Sequence, residues 1–381
     1  MPRYFRATLT VALFLMTSPL AAQSASADTT RAIAPRPTPA PQPTRPWYER
    51  LSVRGYAQFR YNRLLETNED LTCAQCDRSI GKNGGFFLRR GRIILSGSVH
   101  PRVSIYIQPD YAADAAGGLH YFQLRDAYFD LFLDSSRTHR LRFGQSKIPY
   151  GFENLQSSSN RLPLDRNDGV NSAIPNERDF GVFYYWNTPD ARDRFALLQN
   201  NGLKGSGDYG VFGLGLFNGQ TANRPEANNS LHGVARLTYP WKLSNGQFVE
   251  ASVQAYRGHF VMQSVSTPVT RRPEYLDERQ AVTFVWYAQP LGLVAEYNWG
   301  RGPEYDAATN TVVERPLAGG FVQAMYRWQT HGQVIQPFAR LHEYHGGKKA
   351  ELDARRYEVH ESEIGVEWLP IPAFEIGRAH V

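Results

Sequence analysis

Leu51-Ser52-Val53-Arg54-Gly55-Tyr56-Ala57-Gln58-Phe59-Arg60-Tyr61-Asn62 alternates two chemistries with period two. Val53, Gly55, Ala57, Phe59 and Tyr61 form one series; Arg54, Tyr56, Gln58, Arg60 and Asn62 form the other. Extended backbone sends successive side chains to opposite faces, so the stretch reads as a strand with one apolar and one polar side. The pattern recurs. Val103, Ile105 and Ile107 alternate with Ser104, Tyr106 and Gln108, and Ile364, Val366 and Trp368 alternate with Glu363, Gly365 and Glu367. Fourteen strands are predicted: 51–64, 86–98, 102–111, 121–133, 139–146, 178–187, 208–218, 231–239, 247–258, 279–288, 291–299, 318–328, 333–344 and 357–369. No helical stripe of comparable length is present. Connections alternate short and long, except at 188–207, which reads as a hidden hairpin or a displaced strand boundary.

Composition narrows the class. The chain has 381 residues, 42% hydrophobic and 20% charged, which argues against wholesale disorder. Of its 42 Lys and Arg, 36 are Arg. Arginine favours two-pronged grips on oxyanions. The formal charge of +6 comes partly from the first 46 residues; beyond them 37 basic residues face 35 acidic ones, which argues against a nucleic-acid partner. Residues 1–27 read as a signal peptide: Arg3 and Arg6, then the apolar run Leu9–Met16, then Ala25-Ser26-Ala27 for cleavage. Residues 28–46 form a Pro-rich spacer in the periplasm. No other apolar run is long enough for a membrane helix.

Amphipathic strands joined by alternating short and long connections suit a transmembrane antiparallel β-barrel, over residues 47–375. Lipid cannot satisfy an open sheet edge, so such strands close into a ring with apolar residues outward and polar ones inward. Trp186, Trp241, Trp286, Trp299, Trp328 and Trp368 near strand ends suit interfacial girdles. A soluble β-sandwich or propeller shares the period-two signal and is the alternative.

Several runs carry a resemblance. Phe87-Leu88-Arg89-Arg90-Gly91-Arg92-Ile93, Leu124-Arg125-Asp126-Ala127-Tyr128, Arg142-Phe143-Gly144-Gln145-Ser146-Lys147-Ile148-Pro149-Tyr150-Gly151-Phe152-Glu153 and Asn176-Glu177-Arg178-Asp179-Phe180-Gly181 resemble segments of the phosphate-selective porin O and P family. The resemblance implies a 16-stranded barrel in the bacterial outer membrane, a homotrimer, and passive uptake of phosphate or other small anions without cofactor or catalysis. Fourteen strands, with a fifteenth starting at 370–374, imply that the C-terminal strands are missing. Ile376-Gly377-Arg378-Ala379-His380-Val381 reads as one frame of a common sequencing adapter, so 376–381 is expected to be an artefact.

In a porin the chemistry is the lumen wall, where cation ladders select anions. Parity points Arg54, Arg60, Arg90, Arg92, Arg140 and Arg142 inward; Arg89 and Arg125 fall on the outward phase, which marks a bulge, a strand end or a shifted register. By resemblance, the connection 147–177 folds in as the constriction, bringing Lys147, Arg161 and Arg166. The family's phosphate-specific members cluster lysines there; this chain has six Lys in all, mostly scattered, which favours general anion preference. Cys73 and Cys76 are a disulfide candidate. His342, Glu343 and His345 sit on a strand without the helical spacing of zinc proteases, so no metal site is read there. The alternatives are a weakly selective general or sugar porin, or an outer-membrane barrel enzyme.

Overall fold

The computed structural model describes residues 6–15, 46–64, 85–114 and 119–380. One antiparallel sheet curls into a closed ring. Its strands are β1 (Arg6–Leu15), β2 (Leu51–Leu64), β3 (Gly85–His100), β4 (Val103–Asp114), β5 (Leu119–Phe132), β6 (His139–Lys147), β7 (Arg178–Trp186), β8 (Phe212–Phe217), β9 (His232–Lys242), β10 (Phe248–Phe260), β11 (Tyr275–Trp286), β12 (Leu291–Asp306), β13 (Thr311–Tyr326), β14 (Trp328–Thr330), β15 (Gln333–Gly347), β16 (Arg356–Ile371) and β17 (Phe374–His380). β13 and β14 flank Arg327 and both pair with β15, so together they make one stave and the ring has sixteen. All fourteen predicted strands are present, as β2–β13, β15 and β16. The predicted boundaries miss the long hairpin at 300–317, where β12 and β13 stay paired to Asp306↔Thr311.

Closure falls on β1. Arg6–Leu15, read from sequence as part of a leader, lies between β17 and β2 with antiparallel register on both sides. Residues 374–380 form the seven-residue strand β17, paired along β16, which takes in most of the segment expected to be an artefact. Cys73 and Cys76 lie outside the described residues.

The barrel is inside-out relative to a soluble protein. Along β10 the buried set is Glu250, Ser252, Gln254 and Tyr256, while Val253 is exposed. Val53, Leu341 and Ile364 are each about two-thirds exposed on the outer surface, whereas Arg60 and Arg236 are about 1% exposed inside. A soluble sandwich would bury those aliphatic faces; hydrocarbon accepts them in place of a core. Trp241, Trp286, Trp299, Trp328 and Trp368 stand outward as expected. Trp186 departs from that set, because it packs beside Ala191, Phe195 and Val211.

Segment 188–207 holds a helix, not a hairpin: α3 (Pro189–Asn200). Thr188 caps it by accepting from the Ala191 amide at 3.2 Å, and Pro189 opens the first turn, where its missing N–H costs nothing. Polar composition with only Ala191, Phe195 and Leu198 buried gives it little period-two or helical signal in sequence.

Candidate functional site

β6 stops at Lys147 because Ile148-Pro149 follows, and proline cannot extend the ladder. Gly151 then turns with φ 78°, a conformation that disfavours a side chain. The chain crosses the lumen through two short helices, α1 (Phe152–Leu155) and α2 (Asp168–Ala173), and returns at β7. Asn167 caps α2 by accepting from the Val170 amide at 3.0 Å. The expected inward-folded connection is therefore present over 148–177.

It docks on the far wall. Arg340 donates to Glu153 at 2.9 Å, Tyr150 to Asn298 at 2.8 Å and Lys348 to Asp168 at 2.8 Å. The Phe152 amide donates to Glu296, and the Asp168 amide to His342 Nε2 at 3.0 Å, which gives His342 a structural partner. Phe152 and Leu162 pack with Val285, Tyr287, Phe321 and Met325, an apolar seat on the inside of the barrel.

Three predicted pathway cations are absorbed in holding this connection. Lys147 donates to the carbonyls of Asn154 at 2.8 Å, Leu155 at 3.3 Å and Gln156 at 2.5 Å, satisfying the end of α1. Arg161 pairs with Glu177 at 2.6 Å, and Arg166 reaches Asn171 at 2.6 Å and Glu177 at 3.6 Å. All three are buried or nearly so, and they do not present free charge to a passing ion. Glu177 is the hub: Arg125 at 2.8 Å and the adjacent Arg178 also grip it. Burial would raise its carboxyl, but Lys147, Arg178, Arg161 and Arg166 outweigh burial and hold it well below the usual carboxylate range.

The other predicted cations stand on the β2–β7 wall. Arg92 donates from Nε to Asp110 at 3.0 Å, and Arg142 from Nε to Asp130 at 2.8 Å. Both pairs are direct cross-strand neighbours. Arg178 forks onto Asp126 at 3.1 Å. Arg60 donates to the Leu164 carbonyl at 2.7 Å and to Asp165 at 3.3 Å. Arg140 reaches the Asp208 carbonyl at 2.9 Å. Arg54 is exposed to the lumen, and Arg90 is buried in the wall; neither makes an ion pair among the described residues.

Arg89 and Arg125 overturn the parity expectation. Each is the extra residue of a β-bulge: register passes from Gln58↔Arg90 to Phe59↔Leu88, and from Gln108↔Asp126 to Pro109↔Leu124. A bulge resets the side-chain alternation locally. Arg125 is thereby buried against Glu177, and Arg89 lies 3.7 Å from Asp165.

The wall is consequently lopsided. Arg54, Arg60, Arg89, Arg90, Arg92, Arg125, Arg140, Arg142, Lys147 and Arg178 share it with Asp110, Asp126, Asp130 and Asp179. Across the lumen the balance reverses, with Glu250, Asp277, Glu296, Glu363 and Glu367 against Arg236, Arg279 and Arg340. Sequence parity finds the arginines but not their aspartates, because pairing depends on register between strands.

From the short-turn end, residues 201–210 after α3 enter the barrel and meet the inward connection. Gln156 donates to the Lys204 carbonyl at 2.5 Å and Asn160 to the Gly205 carbonyl at 2.9 Å, while Lys204 pairs with Glu367 at 2.5 Å. Beside this plug remains a water-accessible cavity of about 1250 Å³, bordered by Arg54, Tyr56, Tyr106, Tyr128, Arg142 and Tyr209.

The model of the family described as phosphate-selective porin O and P matches residues 69–377. No curated protein matches the sequence. Among solved structures, the Salmonella typhi OmpF complex with daunomycin is 12% identical, covering 99% of this chain and 95% of that one, with TM-score 0.46. The outer membrane channel DcaP of Acinetobacter baumannii is 11% identical, covering 99% and 95%, with TM-score 0.45. A loop L8 deletion mutant of the Vibrio cholerae outer membrane protein OmpT is 9% identical, covering 99% and 97%, with TM-score 0.42.

Proposed function

The chain belongs to the phosphate-selective porin O and P family, and from that premise we propose that this outer-membrane porin conducts small anions in preference to cations. The observation that carries the proposal is the β2–β7 wall, where, Lys147 aside, nine Arg stand among four Asp. A low-dielectric wall with excess positive charge concentrates anions near it, and facing acidic groups give the field a direction across the pore.

The aspartates temper the site rather than abolish it. Each bidentate pair fixes a guanidinium in place, and the third nitrogen of Arg92 goes on to Tyr56 and Ser158. Conduction needs contacts firm enough for entry and weak enough for release. Arg54 and Arg90, outside these pairs, supply the unbalanced charge. Phosphate is one anion this wall could pass; chloride and small carboxylates are others. We read the protein as a passive conduit without cofactor, as a homotrimer, and with residues 1–27 as its export signal.

Proteoliposomes test the reading. Chloride entering faster than potassium, read with ion-sensitive dyes, supports it; potassium entering faster overturns it. Swelling in neutral sugars as rapid as in chloride salts would favour the weakly selective alternative, for which the wide tyrosine-bordered cavity is the supporting feature.

A further inference from the structure

The lipid-facing surface of the barrel carries a group of ionisable side chains. Arg301 of β12, Glu343 and His345 of β15, and Glu358 and His360 of β16 alternate with buried, inward residues and are exposed on the outside. Register sets His345 opposite Glu358 and Glu343 opposite His360. None of these side chains makes a hydrogen bond or ion pair among the described residues. Glu278, the carboxylate opposite Arg301, is drawn instead to Arg257 at 3.6 Å. The group stands at the strand ends away from the short turns 287–290, 331–332 and 372–373, hence on the outer-leaflet side. Directly beneath it the surface becomes apolar, at Trp299, Leu341 and Ile364. At the corresponding ends of β4, β5, β7 and β8 the exposed residues are Tyr111, Phe122, Phe180 and Leu216, so the charge is confined to one side of the ring.

An aromatic shelf adjoins the group. The Tyr297 ring rests over Gly320, where an added Cβ would come within 3.0 Å of its Cδ2. Tyr297 and Trp299 lie 28° from parallel with centroids 6.3 Å apart, and each keeps about 40% of its surface open. Register leads from the shelf into the charges, through Trp299↔Ala318, Ala318↔His345 and His345↔Glu358. Three strand spacings make that row about 14 Å wide.

We infer that this surface docks the headgroup of a phosphorylated glycolipid in the outer leaflet. It needs only the barrel's place in the outer membrane and is independent of which ions the pore passes. Charge on the lipid face is costly unless a headgroup meets it. Arg301 offers a planar fork to a phosphate. Glu343 and Glu358 accept from sugar hydroxyls, and the two histidines can accept or donate. The open faces of Tyr297 and Trp299 suit the C–H side of a sugar ring, an apolar surface with polar edges. A plain phospholipid would satisfy Arg301 and leave both carboxylates without donors.

The test is native mass spectrometry of the full chain in detergent, titrated with lipid A, with lipid A stripped of its phosphates, or with phosphatidylglycerol. Lipid A should be retained at about tenfold lower concentration than either of the others, the worth of one charge-assisted contact or of a set of hydroxyl contacts. Arg301→Gln should erase the preference for the phosphorylated form. Trp299→Ala should weaken both lipid A forms and leave phosphatidylglycerol unchanged, whereas Tyr111→Ala on the opposite side should change nothing. All three positions are exposed, and an unaltered melting midpoint shows that the variants fold. Equal retention of the three lipids, or an undiminished preference in Arg301→Gln, overturns the inference. Displacement of lipid A by inorganic phosphate at equal concentration would assign the surface to the free ion and overturn it as well.

Discussion

Arg92 and Asp110 face each other across β3 and β4, locked through Nε at 3.0 Å and a second guanidinium nitrogen at 3.3 Å, while the third nitrogen reaches Tyr56 and Ser158. One edge of the cation is neutralised and the other ties the wall to the inward connection. Arg142 is held by Asp130 through two nitrogens in the same way. On the anion-porin reading, selectivity then depends on the carboxylates as much as on the arginines.

Asp110→Asn should therefore strengthen anion preference. It removes a negative charge from the wall and keeps a hydrogen-bond acceptor for Arg92. One elementary charge several ångströms from the ion path, in a medium of intermediate dielectric and partly screened, is worth about 1 kcal/mol, or roughly fivefold in permeability ratio. Bi-ionic potentials measure it. An unchanged anion preference would mean that Asp110 does not act on the pathway, and a fall would contradict the sign.

Glu177→Gln should loosen the constriction. Arg125, Arg161 and Arg178 converge on this carboxylate, and removing one partner of a buried charge cluster costs about 3–5 kcal/mol. The expected outcome is a noisier, larger single-channel conductance and a lower unfolding midpoint. The pH dependence has a definite sign. The folded carboxyl lies well below its usual range, so its contribution is fully present above the unfolded pKa of about 4.3 and is lost as pH falls toward the depressed folded value. The stability gap between wild type and Glu177→Gln should stay level from about pH 7 to pH 5 and narrow only in stronger acid. A gap that closes near neutrality contradicts this.

Removing residues 201–209 should widen the passage. This segment touches the inward connection through Lys204 and Gly205 and the wall through Glu367. Conductance of the deletion variant should rise; an unchanged value would show that ions do not pass beside the segment.

The leader reading and strand β1 make opposite demands on the mature N-terminus. Terminal sequencing of protein extracted from outer membranes should begin after Ala27. Recovery of Arg6–Leu15 in that material would instead make β1 a permanent stave.

Much of the barrel is legible in sequence because lipid imposes a strict alternation. Val253 can face outward only if Ser252 and Gln254 face in, and the fourteen strands follow from that rule. The rule fails where backbone geometry changes phase. Arg89 and Arg125 look lipid-facing by parity and are not, because a bulge has no composition of its own. Asp110 and Asp130 are missed for a different reason: Arg92↔Asp110 and Asp130↔Arg142 are relations between strands, and a single chain read linearly does not state its register. The inserted helix is missed because Pro189–Asn200 is mostly polar and buries only three side chains. Arg161 and Arg166 lie in the inward connection and Lys147 at its start, where their bonds go to Glu177 and to the carbonyls ending α1.

The most direct test of the central claim is the zero-current potential of the reconstituted channel across a KCl gradient at neutral pH, for the wild type and for Arg54→Gln with Arg90→Gln. The account predicts a potential of anion-selective sign for the wild type and a shift toward zero in the double variant. A cation-selective sign, or the same potential in both proteins, would contradict it.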